Sequence, residues 1–350
     1  MQELSRQSIH SRAIDFLRFP MAALVVLLHT AALGVGSTHP VYSTLCIVLG
    51  RGICRVAVPC FFLISGFLFF SQLEDKWNTD VWIGKIKKRI KTLLIPYLLW
   101  NIIAALAIWG YRWGFARMHG ETYPTLLDHI IQARGLWDSS GGLPFDGPLW
   151  FIRHLIIFVL AAPLVWLFIK YLRIWGLLAL TLVFIVIGHI PEGVVFFAAG
   201  AWFRIEKKNM LNEFDRLKYI MTALAVLSLV ALTLTFRSQP GLYRIFSSVF
   251  VISGTSVFFL LAGKLVEKGV MLPPLLVHSG FFIFAAHNIL ILHDFSHWII
   301  LHMLPFQGEW MECVDLFLRP SIAIIICLLL YKVMGLITPR ALSLLTGGRG

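Results

Sequence analysis

Acidic residues are scarce in this sequence, which has 18 Asp and Glu against 30 Lys and Arg in 350 residues. Charged residues make up only 14% of the chain, whereas 58% of it is hydrophobic and its mean hydropathy is +0.81. A soluble domain of this length does not reach such values. The five cysteines are an odd number, and Cys54, Cys60 and Cys327 lie in apolar stretches, so no disulfide framework is implied.

Two common catalytic signatures are also missing. The segment GGLPFDG lacks the GK[ST] ending of a phosphate-binding loop, and we interpret it as a flexible turn. No G-x-S-x-G elbow is present, and Ser65 lies inside a predicted helix, which argues against a serine nucleophile. The chain shows no internal repeat, and we expect its first apolar stretch to be retained because no small-residue cleavage pattern follows it.

Long apolar stretches are what the sequence has instead. They predict membrane helices at about 13–35, 43–70, 93–111, 149–169, 174–189, 191–203, 219–236, 244–263, 275–292 and 314–337. The predicted fold class is an all-α polytopic membrane protein with about ten transmembrane helices around a polar cavity. We expect residues 1–12 to form a cytoplasmic N-terminus, residues 13–338 the membrane domain and residues 339–350 a cytoplasmic tail.

The distribution of basic residues predicts the orientation. With the N-terminus inside, the inner segments hold 20 of the 30 Lys and Arg, and the outer segments hold Arg117, Arg134 and Arg237. This asymmetry follows the positive-inside rule and predicts that both termini are cytoplasmic. The net charge of +12 is thereby explained as a topology signal, so we expect no nucleic-acid partner.

The first predicted helix, AIDFLRFPMAALVVLLHTAALGVG, carries ionisable residues, which are costly in a membrane and mark candidate functional sites. Arg18 and His29 are about three helical turns apart, so both project from one face, about 16 Å from each other. Asp15 is the expected partner of Arg18, a pair that suits packing and function equally. His29 either bonds a carbonyl in the core or, as we favour, acts as a general base.

Two more arginines lie in the second predicted helix. Arg51 and Arg55 are four residues apart, so they share a helical face. Their depths would let them meet His29 near the middle of the membrane. Each has a possible structural role beside a carboxylate or a helix end, but no acid within the spans is an obvious partner. We therefore favour an anion site, since a guanidinium matches a thioester oxyanion, a phosphate or a carboxylate.

Further polar residues follow in the chain. The run IGKIKKRIK at 83–91 suits a topology signal and a docking surface for a polyphosphate-bearing substrate equally. In the ninth predicted helix, Asn288 either orients the imidazole of His287 or both bind water. A late cluster resembles metal-ligand spacing only weakly, because no third well-fixed ligand is identifiable, and we predict no metal site. Its members are His293, Asp294, His297 and His302.

These segments together resemble the bacterial membrane acyltransferase-3 family. The first match is the IDFLR…H pattern, with ten residues between Arg18 and His29. RVAVPCFFLISGFLF, headed by Arg55, resembles a second family segment, and KKRIKTLLIPYLLW resembles the basic loop and the helix after it. GPLWFIRHL, FFAAGAWF and FFIFAAHNIL also fit, so the resemblance covers most of the chain.

The resemblance implies an O-acyltransferase of the bacterial inner membrane that uses cytoplasmic acyl-coenzyme A, with acetyl-coenzyme A as the expected donor. The implied partners are membrane lipid and an envelope glycan or lipid-linked sugar as acceptor. His29 would be catalytic, supported by Arg18 and Asp15. The oxyanion or substrate-binding residues would be Arg51, Arg55, Arg153, His287 and Asn288. The residues for coenzyme A would be Lys85, Lys88, Arg89 and Tyr97.

Alternatives stay open at this point. The acceptor hydroxyl can attack directly, with His29 as base, or the acyl group can pass through a covalent acyl-histidine. A transporter or flippase for an anionic or lipid-linked glycan is the other class, although the inverted repeat expected of one is not found. Tyr123 and Trp137 in the outer loop at 112–148, and Trp150 just after it, would stack on a sugar or form an interfacial aromatic belt.

Overall fold

The structure is a computed structural model that describes residues 2–132, 143–188, 191–303 and 308–348. The described part is 84% helical and contains no strand. Its helices are α1 (Gln2–Gly34), α2 (Pro40–Cys46), α3 (Ala57–Phe69), α4 (Thr79–Arg89), α5 (Ile95–Met118), α6 (Leu126–Gln132), α7 (Trp150–Leu160), α8 (Ala162–Ile187), α9 (Glu192–Ile205), α10 (Met210–Arg216), α11 (Lys218–Thr235), α12 (Pro240–Glu267), α13 (Pro274–Ala286), α14 (Ser296–Met303), α15 (Glu309–Ile337) and α16 (Pro339–Thr346).

The predicted class of all-α polytopic membrane protein is confirmed. Within the described ranges, seven helical stretches are long and apolar enough to cross a membrane, and an eighth is present if the bent segment after α13 is counted with it. The helix α1 packs against α3, α12, α13 and α15. The first predicted membrane helix therefore lies at the centre of the fold, where polar side chains such as His29 can face other helices.

The second predicted helix is not continuous. A π-helical turn at Ile47–Gly52 and a 3-10 turn at Ile53–Val56 separate α2 from α3. Gly52, between them, has φ −108° and ψ −99°, which is outside the helical region. The regular four-residue helical spacing expected for Arg51 and Arg55 is therefore wrong. Helical irregularities of this kind are frequent at functional sites.

The ninth predicted helix is bent. The helix α13 ends at Ala286, and the chain turns by 86° before it continues as the helical segment Ile291–His302. Leu290 in the bend has φ 59°. The straight helix expected up to residue 292 is thus wrong in its last part. His287 and Asn288 lie at the break, where polar side chains and helix-end carbonyls can satisfy one another inside a membrane protein.

The helices α7 and α8 replace the predicted pair at 149–169 and 174–189. The first of them ends at Leu160, and Arg173 inside α8 has φ 49° and ψ −137°. This non-helical residue falls in the basic loop expected between the two predicted helices. The end of the second predicted helix, at residue 189, lies outside the described residues.

Glycine residues bring α3 and α9 into close contact. A Cβ atom added at Gly66 would overlap the carbonyl oxygen of Phe197, and one added at Gly200 would overlap that of Leu63. Small residues at helix interfaces let backbones approach, and close packing is what associates helices in a membrane. The contact holds the middle of α9 against α3, and Phe61 of α3 and Glu192 of α9 both belong to the site described below.

Gly200→Ala is expected to destabilise the protein by about 1–3 kcal/mol, because the added methyl group has no space between the two backbones. Gly110→Ala in α5 is the matched control, since a Cβ there would meet no atom within 4 Å. Alanine at such an open helical position is neutral or stabilising by about 0.5–1 kcal/mol. Melting temperatures of the detergent-purified variants measure the difference, and equal values for the two variants would contradict the close approach.

Candidate active site

A cavity of about 220 Å³, which we call the His29 cavity, lies beside α1. Its polar lining consists of His29, Arg51, Arg55 and Glu192, and Trp150 is among its aromatic residues. His29 therefore faces protein groups and not lipid. The predicted meeting of His29 with the two arginines is found, although the arginines reach the cavity from irregular turns.

A second histidine lies next to the first. The imidazole rings of His29 and His287 have their centroids 5.3 Å apart, with an angle of 47° between the ring planes. His287 follows the last residue of α13 and is fully buried. Two histidines that are far apart in the sequence are thus brought together, one from the central helix and one from a helix break.

The hydrogen bonding of His287 defines which nitrogen carries its proton. Nδ1 lies 3.0 Å from the carbonyl oxygen of Ile283, one helical turn earlier. A carbonyl oxygen only accepts, so Nδ1 donates, and Nε2 of the neutral ring carries the lone pair. Nε2 is buried and has no hydrogen-bond partner among the described residues. It can accept a proton or a hydrogen bond from His29 or from a hydroxyl group in the cavity.

Arg55 is paired with an acid, contrary to the interpretation from the sequence. Its Nη2 donates to Oε2 of Glu192 at a distance of 2.8 Å. Glu192 is the first residue of α9 and lies 137 positions away in the chain. Only tertiary packing brings the two residues together, so the expectation that no acid within the spans pairs with Arg55 is wrong. The pair leaves Arg55 largely neutralised.

Arg51 has no acidic partner among the described residues that line the His29 cavity, because Glu192 is bound to Arg55. Its guanidinium carbon lies 5.8 Å from the ring centroid of Phe236, and its Nε is buried and without a hydrogen-bond partner in the described part of the chain. A guanidinium offers five N–H donors in a planar fork. Arg51 is therefore the better placed of the two arginines to bind an anion in this cavity.

A second cavity, also of about 220 Å³, lies toward the other end of α1, and we call it the Arg18 cavity. Arg18, Ser65, Arg89 and His278 are its polar residues, and its other lining is apolar. The expected ion pair is present, with Arg18 Nη2 3.1 Å from Asp15 Oδ1. Both side chains of the pair are about half exposed, so it contributes little to stability. Since Arg18 and His29 line different cavities, Arg18 does not support His29 by contact.

The two cavities meet at one residue. Phe284, on α13, lines both of them. They therefore lie end to end along α1, with the guanidinium groups of Arg18 and Arg89 on one side of this ring and the imidazole of His29 on the other. Within the described part of the chain, Phe284 is the one lining residue that the two cavities have in common.

The basic run at 83–91 is mostly the amphipathic helix α4 and not a loop as expected. Its Lys85 donates to Ser71, 3.2 Å away, and Lys88 is exposed on the surface. Tyr97, expected to bind coenzyme A, is fully buried in α5 and is not among the residues that line the Arg18 cavity. All four predicted cofactor residues lie in the part of the chain that the structure describes, and of the four only Arg89 lines the Arg18 cavity.

Other predicted residues lie at the edge of the site. Arg153 is on α7 and is not among the residues that line either cavity. Asn288 lies beside Gly147, in the turn before α7. His293 is in a π-helical turn and His297 is in α14, so the two histidines do not lie one turn apart on a single regular helix. That no metal is bound stays a prediction.

Sequence reasoning missed Glu192 and the position of Trp150. A signal for Glu192 was available: it is the single acid in the predicted helix at 191–203, in a chain where acids are scarce. Trp150, just after the long outer loop, is a sequence candidate for sugar stacking, and it lines the His29 cavity itself. Trp137, considered for the same role, lies outside the described residues.

The fold and the two cavities define a polytopic membrane protein in which His29 faces one cavity with His287 beside it, and a second cavity with two arginines meets the first at Phe284. The family model described as "Acyltransferase domain" matches residues 11–333. The chain belongs to this family, the membrane acyltransferase-3 family, and is an acyltransferase. This membership decides against the transporter alternative.

The chain is also similar to a curated bacterial protein, the succinoglycan biosynthesis protein ExoH of Rhizobium meliloti (strain 1021). The two are 26% identical over 329 residues, which cover 87% of this chain and 82% of that protein. No solved structure matches the chain.

Proposed function

We propose that the protein is a membrane O-acyltransferase that moves an acyl group, expected to be acetyl, from cytoplasmic acyl-coenzyme A to a hydroxyl of an envelope glycan or lipid-linked sugar. The observation that carries the proposal is that His29 faces a cavity which meets, at Phe284, a second cavity with two arginines. The name of the similar protein, which refers to succinoglycan biosynthesis, supports a polysaccharide or its precursor as acceptor. The proposed location is the bacterial inner membrane, with both termini cytoplasmic.

The donor enters through the Arg18 cavity. The positive-inside rule orients this end of α1 toward the cytoplasm. Arg89 and Arg18 present guanidinium groups at the cavity, and such groups match the phosphates of coenzyme A in charge and geometry. The pantetheine arm is thin and largely uncharged, so it suits the apolar part of the cavity and leads the thioester past Phe284.

The acceptor enters the His29 cavity from the opposite side. His29 takes the proton of the acceptor hydroxyl as its oxygen attacks the thioester carbon, and His287 supplies a neighbouring lone pair at Nε2. Arg51 stabilises the negative charge that develops on the carbonyl oxygen. The carbon–sulfur bond then breaks, the new ester leaves on the acceptor, and the thiolate of coenzyme A receives the proton from His29.

The proposal is tested with the purified protein in lipid vesicles, labelled acetyl-coenzyme A, and lipid-linked glycans extracted from membranes in which the protein naturally occurs. We expect label on the glycan fraction and an equal amount of free coenzyme A. Label that stays on the protein when the glycan is omitted would identify the acyl-histidine route. Absence of free coenzyme A with every acyl donor would overturn the function.

Arg89→Ala is expected to raise the KM for acetyl-coenzyme A roughly 10- to 100-fold, with a smaller change in kcat, because a charge-assisted contact to a phosphate is lost. Acetyl-pantetheine, which has no nucleotide phosphates, provides the decisive comparison. Its KM should be the same for the wild-type protein and for Arg89→Ala. Lys76→Ala is the control, since Lys76 is an exposed cation outside the cavity lining. An equal rise in KM for acetyl-coenzyme A and for acetyl-pantetheine in Arg89→Ala would contradict phosphate binding by Arg89.

A further inference from the structure

We propose that three phenylalanines form a width filter for the acyl group of the donor, an inference that rests on the proposed function. Phe61, Phe151 and Phe284, which we call the aromatic triad, close the path between the Arg18 cavity and the His29 cavity. A donor reaches His29 only when its acyl group passes between these rings. The triad thus selects acyl groups by cross-section, separately from any limit on chain length set by the His29 cavity.

The three rings contact one another across the junction. The centroids of Phe61 and Phe151 are 5.7 Å apart, those of Phe151 and Phe284 are 5.8 Å apart, and those of Phe61 and Phe284 are 6.2 Å apart. Separations of about 4.5–7 Å are those of aromatic rings in direct contact. No channel wide enough for a thioester therefore runs between the rings, and they have to rotate for the donor to pass.

The rings come from three different helices, which gives the junction a fixed frame. Phe61 is on α3, Phe151 on α7 and Phe284 on α13. All three line the Arg18 cavity, and Phe284 also lines the His29 cavity. Packing holds the helix backbones in place, so the opening available to a donor is set mainly by changes of side-chain rotamer. An opening of this kind is narrow.

The position of the triad distinguishes it from ordinary core packing. Phe158, for comparison, contacts Phe62 and Phe197 and is not among the residues that line either cavity. The three rings of the triad instead form part of the wall of the Arg18 cavity, and Phe284 also forms part of the wall of the His29 cavity. Because the acyl group is the leading end of the donor, it meets this wall before the pantetheine arm does.

Isomeric donors separate width from length. n-Butyryl-coenzyme A and isobutyryl-coenzyme A have the same number of carbons, but isobutyryl is branched next to the thioester and is wider. The purified protein in lipid vesicles is given each donor, and acetyl-coenzyme A, together with the extracted lipid-linked glycans. The measured quantity is kcat/KM for release of free coenzyme A. We expect the wild-type protein to discriminate against isobutyryl by about tenfold or more.

Phe284→Ala should raise turnover of isobutyryl-coenzyme A relative to n-butyryl-coenzyme A by about tenfold. Phe284→Leu keeps the core more nearly filled and should shift the ratio in the same direction by less; it serves as the test if the alanine variant does not fold. Phe158→Ala removes a buried ring away from the path and should leave the ratio unchanged.

An unchanged ratio in a Phe284 variant that still uses acetyl-coenzyme A would overturn the width filter and leave the proposed function intact. Equal shifts in the Phe284 and Phe158 variants would also overturn it, since they would show general loosening of the core. Failure of the wild-type protein to release coenzyme A from any donor would instead contradict the proposed function.

Discussion

His29→Ala is expected to lower acyl transfer to the glycan by about 10²–10⁴-fold, the usual contribution of a general base. The substitution removes the imidazole that faces the His29 cavity and leaves the Arg18 cavity, where the donor is proposed to bind, unchanged. We therefore expect the loss in kcat, with the affinity for acyl-coenzyme A retained. Label transfer from acetyl-coenzyme A and a separate binding measurement on the same preparation check both parts.

His302→Ala is the matched control, since His302 is an exposed histidine on α14, and it should keep full activity. If His29→Ala transferred acyl groups at the wild-type rate, the proposed catalytic role of His29 would be wrong. A loss of donor binding equal to the loss of turnover would point to a disturbed fold, which a melting curve would reveal.

A double substitution tests whether the imidazoles of His29 and His287 act together. If His29 and His287 act as one unit, the double variant His29→Ala/His287→Ala should be hardly slower than His29→Ala alone, because groups that act together lose activity non-additively. If the loss of activity in the double variant equals the product of the losses in the two single variants, His287 acts independently of His29. The ring contact of 5.3 Å makes the first outcome the expected one.

Local pattern was enough to predict the parts of the site that lie on regular helices. Arg18 and His29 are on the continuous helix α1, where helical periodicity gives both their common face and their separation. The pair of Asp15 with Arg18 is also local, three residues apart on the same helix. The polar character of these residues in an apolar stretch marked them as a site, because buried charge in a membrane is costly.

The parts that could not be predicted depend on irregular backbone and on contacts distant in sequence. The turns that carry Arg51 and Arg55 depart from the helix at Gly52, so their directions do not follow from spacing. The partner of Arg55 is 137 residues away, at the start of α9. Phe284 looks like any core phenylalanine in the sequence, and only packing places it between two cavities.

Arg51→Ala is expected to lower kcat by about 10²–10³-fold, the cost of removing one donor that stabilises a developing oxyanion. The KM for the acyl donor should change little, because the interaction is made mainly in the transition state. Arg51→Lys keeps the charge but loses the planar fork of donors, so it should recover part of the activity. Steady-state kinetics of the three proteins with acetyl-coenzyme A and the extracted glycans measure these differences.

Arg55 provides the comparison that separates catalysis from structure. Its charge is held by Glu192 at 2.8 Å, so Arg55→Gln should lower kcat less than Arg51→Ala does. It should instead lower the melting temperature, because removal of one partner leaves the other charge of a partly buried pair uncompensated. A larger loss of kcat in Arg55→Gln than in Arg51→Ala would reverse the two assignments, since the ion pair would then have to open during the reaction. A rise in the KM for the glycan acceptor alone, on loss of Arg51, would show that this guanidinium binds an anionic group of the acceptor and not the oxyanion.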